Sequence, residues 1–238
     1  MSRRREQKEQ LRREREQREA EARAAAQRKR LVGVVAAVAI AAIAIVIVVV
    51  MAAGGNSDDP SSAGNNFPTG GSVPKQKQFD FSSHPAAAAG CELKSNRANS
   101  REHLQDPNQK VKYATNPPNS GKHYAIPAED GLYNGAPPPD TALVHTQEHG
   151  RVIIWAKPSL PADARAQLRA LFDEDSYQMV LVRRSNMPYA VAATAWNHDP
   201  TPNGTGRTLG CPRWDENVID ALRAFRDEHR SNGPEDIP

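Results

Sequence analysis

The hydrophobic residues of this chain are bunched. From Leu31 to Ala53 the run LVGVVAAVAIAAIAIVIVVVMAA contains no charge and no proline. At ~1.5 Å per residue it makes a helix about 35 Å long, enough to cross a hydrocarbon core of about 30 Å. Its many β-branched residues would weaken a helix in water, but in lipid the backbone must satisfy its own hydrogen bonds. The pattern predicts one transmembrane helix over 31–53. A cleavable signal peptide is the rival reading. It has an apolar region of roughly 7–15 residues behind a short basic start, and here both parts are longer.

Residues 54–78 (GGNSDDPSSAGNNFPTGGSVPKQKQ) offer almost nothing to bury and predict a flexible linker. Apolar clusters return from Phe79 onward, and 79–238 is expected to be one globular domain. Within 141–155 (TALVHTQEHGRVIIW) two short apolar runs flank a polar turn, the second being the clearer strand. Residues 159–173 predict a helix with Ser159 as cap and Leu168, Leu171 and Phe172 on one face. Strands are predicted over 178–183 and 189–196. A last helix is predicted over 215–230, capped by Asp215, with Val218, Leu222 and Phe225 sharing a face. The proline-rich stretch 84–140 is expected to wrap the core as ordered loops. Together these elements predict a small α+β domain, a short sheet flanked by helices and proline-rich loops.

Charge orients this plan. The chain carries 31 Lys and Arg against 28 Asp and Glu, a net +3. Residues 1–30 hold 12 of the basic and 6 of the acidic residues, hence +6, which leaves −3 for the rest. Arg28-Lys29-Arg30 precede the apolar run and Asp58-Asp59 follow it. Basic flanks stay cytoplasmic, so the N-terminus is expected inside and the domain outside the cytoplasm, with membrane lipid as a partner. The head has helix-forming composition but only one large aliphatic residue, Leu11, and therefore no coiled-coil heptads. It reads as a solvated helix with Glu/Arg pairs three and four apart, or as a basic segment drawn to anionic lipid. No aromatic residue is interleaved for base stacking, so no nucleic-acid partner is expected.

Two cysteines, Cys91 and Cys211, lie near opposite ends of the domain. In an oxidising compartment a disulfide between them is expected; two free thiols or metal ligation are the alternatives.

The chemistry-bearing residues cluster between His103 and His149, which bound a stretch with four of the chain's seven histidines. His145 and His149 are four apart and share a face on a helical turn. Two neutral imidazoles so spaced can chelate a divalent metal. Glu148 could ligate or orient a ring, and His123 or His103 could complete the site. Copper or zinc suits this donor set, with copper favoured if Met179 or Met187 lies close. HTQEH also matches the H-x-x-E-H pattern of inverted zincin peptidases. That motif needs a long helix, whereas Gly150 and a strand follow at once. The bland alternative is an envelope interaction or structural module whose histidines hydrogen-bond backbone within the proline-rich wrap. No phosphate-cradling loop, nucleophile elbow or dinucleotide fingerprint occurs, so no catalytic residue and no organic cofactor is assigned. Trp155 and Trp196 are expected to be core anchors.

The run Pro117-Pro118-Asn119-Ser120-Gly121-Lys122-His123-Tyr124, the pair Gly131 and Tyr133, and the box His145-Thr146-Gln147-Glu148-His149-Gly150 before an apolar strand form a specific combination. With Ala195-Trp196 and Gly233-Pro234-Glu235, the chain resembles the bacterial family called domain of unknown function 3105, over roughly 90–236. The resemblance implies a domain boundary and no inherited activity. One departure is Asn197, where the pattern has Gly, which implies a different turn there.

Overall fold

The computed structural model describes residues 66–77 and 84–235. The predicted head (1–30), the predicted transmembrane helix (31–53) and much of the predicted linker lie outside the described residues. No helix among the described residues is long and apolar enough to cross a membrane.

In chain order the elements are α1 (Pro85–Ala88), β1 (Glu92–Arg97), β2 (His103–Leu104), β3 (His123–Tyr124), β4 (Gly131–Leu132), α2 (Asp140–Glu148), β5 (Val152–Ala156), α3 (Ala162–Glu174), β6 (Met179–Arg183), β7 (Val191–Asn197), β8 (Thr205–Cys211) and α4 (Val218–His229). Six strands form one sheet in the order β1-β8-β7-β5-β6-β4, and β2 pairs with β3 in a separate parallel ribbon. β5 and β6 are parallel, joined by α3 as crossover, whereas β5–β7, β7–β8 and β8–β1 are antiparallel. The mixed α+β class with helix-flanked sheet is as the sequence predicts.

Side-chain alternation in the central strands builds two cores. Ile154, Leu181, Ala193 and Leu209 point to one face, against Leu168 and Leu171 of α3 and Leu222 and Phe225 of α4. Ile153, Trp155, Val180 and Val182 point to the other, against Leu143 of α2. Successive strand side chains must alternate, so Val- and Ile-rich strands buried on both faces read as continuous apolar runs. Both tryptophans are fully buried; Trp155 Nε1 donates to Thr194 Oγ1 at 2.8 Å and Trp196 Nε1 to the Asn203 carbonyl at 2.7 Å.

Several expectations are corrected. The first apolar run and the polar turn of 141–149 are a helix, α2, in which every residue from Thr141 to Glu148 is buried. A helix enclosed on all sides carries no apolar stripe to read. α3 begins at Ala162 behind Pro161, with no side-chain cap, so Ser159 does not cap it. α4 begins at Val218 behind Asn217; Asp215 Oδ1 instead accepts the Asn217 backbone N–H at 2.8 Å, just ahead of the helix. Asn197 closes β7 rather than forming a turn. β1, in the expected loop region, is an edge strand with five of its six residues exposed, so no burial pattern marks it. Part of the expected linker packs on the domain. Phe67 is buried in the main core and its N–H donates to Asn134 Oδ1 at 2.9 Å, while Arg223 Nη1 donates to the Pro74 carbonyl at 3.0 Å.

Cys91 and Cys211 form the disulfide, 120 residues apart in sequence. It fastens β1 to β8 at the end where Glu92 already pairs with Gly210.

Candidate functional site

The side chains of interest gather where α2 meets the β2–β3 ribbon. Two local devices build this place. The first is the end of α2. Gly150, at φ +82°, turns the chain out of the helix and its N–H donates to the Gln147 carbonyl at 3.0 Å. Left-handed backbone of this kind favours glycine. The C-terminal segment then docks on that turn: Ser231 N–H donates to the Gly150 carbonyl at 2.9 Å and Glu235 N–H to the Glu148 carbonyl at 3.0 Å. The second is the turn before β3. Asn119, 1% exposed, donates from Nδ2 to Asn96 Oδ1 at 2.8 Å and to Thr208 Oγ1 at 2.9 Å. Gln147 Nε2 donates to the Pro118 carbonyl at 3.2 Å. The PPNSGKHY run is thus tied to β1, β8 and α2, and it delivers His123 opposite His103 in the ribbon.

Three imidazoles meet there. Ring centroids are 4.5 Å apart for His103 and His123, 4.8 Å for His103 and His145, and 4.7 Å for His123 and His145. One donor atom from each, with a Glu148 oxygen, lies within 4.8 Å of the others. His123 Nδ1 sits 2.8 Å from the Gly121 carbonyl and His145 Nδ1 sits 2.7 Å from the Tyr124 carbonyl. A carbonyl only accepts, so each Nδ1 carries the hydrogen and in the neutral ring Nε2 keeps its lone pair. His123 Nε2 lies 2.9 Å from Glu148 Oε2. Both atoms are buried, and neither closes a well-aligned hydrogen bond.

The surroundings favour neutral rings at His145 and His149 and an ionised carboxylate at Glu148. Burial, then repulsion from His123 and His149, pushes His145 down to about 4. Burial also lowers His149, against the pull of Glu235. Burial alone would raise the Glu148 carboxyl, but its contacts with His123 and Arg101 outweigh that and hold it below its ordinary value. Arg101 Nε donates to Glu148 Oε1 at 2.5 Å and Arg101 Nη2 to Glu235 Oε1 at 3.0 Å. Oε1 is therefore taken, and Oε2 is left facing the histidines.

Of the five residues predicted as metal ligands, the structure brings His103, His123, His145 and Glu148 together. His149 turns away: its Nε2 faces Glu235 Oε2 at 3.4 Å, and it forms a second, adjoining group with His145 and Glu235. Met179 packs in the core on the opposite face of the sheet and Met187 against Tyr189, so no thioether joins the cluster. The H-x-x-E-H residues do lie on a helix, but it has nine residues and ends at Glu148, and a strand begins at Val152, so the long helix that motif needs is absent, as expected. Tyr133 lies elsewhere, its hydroxyl donating to the Glu129 carbonyl at 2.8 Å. Sequence reading missed Arg101 and Glu235. Glu235 had a signal, the Gly-Pro-Glu motif after the last helix; Arg101 had none, being a lone cation in an apparent loop.

No characterised protein and no solved structure shows a significant match to the chain. A family model described as protein of unknown function (DUF3105) matches residues 104–237. The match includes Cys211 but not Cys91, and it opens one residue after His103. It spans the PPNSGKHY turn, the buried helix α2 and the docked C-terminal segment, more than half of the chain, so this protein belongs to the DUF3105 family.

Proposed function

We propose that His103, His123, His145 and Glu148 bind one divalent transition-metal ion, zinc or Cu(II), on a domain that the segment 31–53 anchors outside the cytoplasm. The observation that carries the metal reading is the pair His123 Nε2 and Glu148 Oε2. There a buried imidazole nitrogen and a buried carboxylate oxygen meet at 2.9 Å, and neither has a well-aligned hydrogen-bond partner. Such a pair is repulsive unless a proton or a cation lies between, and unsatisfied buried polar atoms are costly.

Three further features support it. The Nδ1 bonds to backbone carbonyls are the usual means of fixing a metal-binding imidazole and its tautomer. Arg101 holds Glu148 so that one oxygen faces inward. A three-nitrogen, one-oxygen donor set without sulfur suits zinc or Cu(II) rather than Cu(I). His103 is the most exposed donor, its side chain 40% accessible, and is the side from which an ion can enter.

A structural module with internally bonded histidines accounts for the two Nδ1 bonds and needs a proton between His123 Nε2 and Glu148 Oε2, where the metal reading places the cation. Peptidase chemistry is disfavoured, because Glu148 is engaged through one oxygen by Arg101 and turned by the other toward His123. The apolar run 31–53, its basic flank and the disulfide support the membrane anchor and the oxidising side.

Elemental analysis of the purified full chain tests the metal reading. After equilibration with Zn(II) and gel filtration, one bound ion per chain is expected, falling below half an ion in His123→Ala/His145→Ala. A folded wild type that stays metal-free would end this reading. Proteolysis from outside intact cells should remove the domain; complete protection would refute the proposed orientation.

A further inference from the structure

A cavity of about 330 Å³ lies on the other side of the turn that carries His123, bounded by β1, residues 109–114 and residues 120–122. Its charged lining consists of Arg97, Lys110, Lys112 and Lys122, with no Asp or Glu. Lys122 is paired with Glu102 at 2.7 Å. Arg97, Lys110 and Lys112 have no ion pair or side-chain hydrogen bond among the described residues. The nearby Asp140 is already held by Arg184 at 2.6 and 3.0 Å. The amides of Asn99 and Gln109 also reach the lining without a side-chain partner among the described residues. Two side chains of the lining are held by hydrogen bonds. Tyr113, in the lining, donates from its hydroxyl to the Lys122 carbonyl at 2.8 Å, and the Ser120 hydroxyl donates to Asn119 Oδ1 at 3.2 Å.

We infer that this cavity binds a small anion bearing phosphoryl groups. Three exposed cations without an ion partner among the described residues line one concavity and give it a positive potential, which an anion of at least two charges would neutralise. A guanidinium and amide N–H donors match phosphoryl oxygens, while lysines supply point charge. The volume lies at the small end of ligand sites, room for a diphosphate or a sugar phosphate rather than a macromolecule. The inference goes beyond the metal reading and does not depend on it.

Equilibrium dialysis of labelled pyrophosphate against chelator-treated full-length protein tests it at low salt. Saturable binding is expected in wild type and in the control Lys75→Gln/Lys157→Gln, which removes the same charge outside the cavity. Lys110→Gln/Lys112→Gln should weaken it at least about tenfold, the effect of losing two charge-assisted contacts. No saturable binding in wild type, or equal weakening in both double variants, would overturn the inference. Competition separates two sources of the same chemistry. Displacement by glycerol phosphate points to a free metabolite, and displacement by water-soluble dioctanoyl phosphatidate alone points to a lipid headgroup.

Discussion

Gly150 and Gly233, 83 positions apart in sequence, are in backbone contact: a Cβ on Gly233 would lie 2.3 Å from the Gly150 nitrogen and 2.3 Å from the Glu148 carbonyl oxygen. No real Cβ tolerates such distances, so the docking of the C-terminal segment depends on glycine at 233. Gly233→Ala should displace residues 231–235 and release Glu235 from Arg101 and His149. The expected cost is about 1–3 kcal/mol, as for other overpacked sites, read as a lowered urea midpoint. Wild-type stability in this variant would mean that the segment does not dock as described.

Metal binding to the native state alone must raise stability. At a free Zn(II) concentration 100 times the dissociation constant the gain is about 2.7 kcal/mol. The full chain should therefore melt at a higher temperature with Zn(II) than with a chelator, and His145→Ala should remove the difference. A shift of equal size in His145→Ala would place the ion elsewhere.

The Cys91–Cys211 bridge closes a loop of 120 residues and anchors the edge strand β1. Cys91→Ala/Cys211→Ala should cost about 2–5 kcal/mol. Hydrogen exchange should rise first in β1, whose one strand neighbour among the described residues is β8.

Acid should weaken the fold through Glu174. Its carboxylate accepts from Arg223 Nε at 3.1 Å and Nη2 at 2.6 Å, and this pair, more than any other influence, holds it below the ordinary value of 4.5. The folded pKa lies below the unfolded one, so the stabilisation is full above about pH 4.5 and is lost as pH falls through the folded value. Glu174→Gln should flatten the acid limb of a stability–pH curve while changing its slope little between pH 6 and 8. An acid limb as steep as that of wild type would assign the loss to other groups.

The legible parts of the fold were those with a period. Leu168, Leu171 and Phe172, and likewise Val218, Leu222 and Phe225, repeat at helical spacing because each helix has one buried face. β5, β6 and β7 stood out because they are buried on both sides. α2 was hidden by the opposite extreme, burial all round with polar residues satisfied by tertiary contacts: Thr146 Oγ1 reaches the Ala128 carbonyl at 2.8 Å and Gln147 Nε2 reaches Pro118. β1 was hidden because its exposed edge imposes no alternation.

By itself the sequence determined the apolar run and its basic flank, the α+β class and the histidine-rich stretch, since composition and periodicity are local properties of a chain. It also supplied four of the residues that converge. Which histidine belonged to which group was decided only in three dimensions. The i to i+4 spacing makes His145 and His149 equivalent along the helix, yet β3 approaches one side of α2 with His123 and the C-terminal segment approaches the other with Glu235. Arg101 became part of the site for the same reason: folding brings it within 2.5 Å of a carboxylate 47 residues away, a distance that no local pattern encodes.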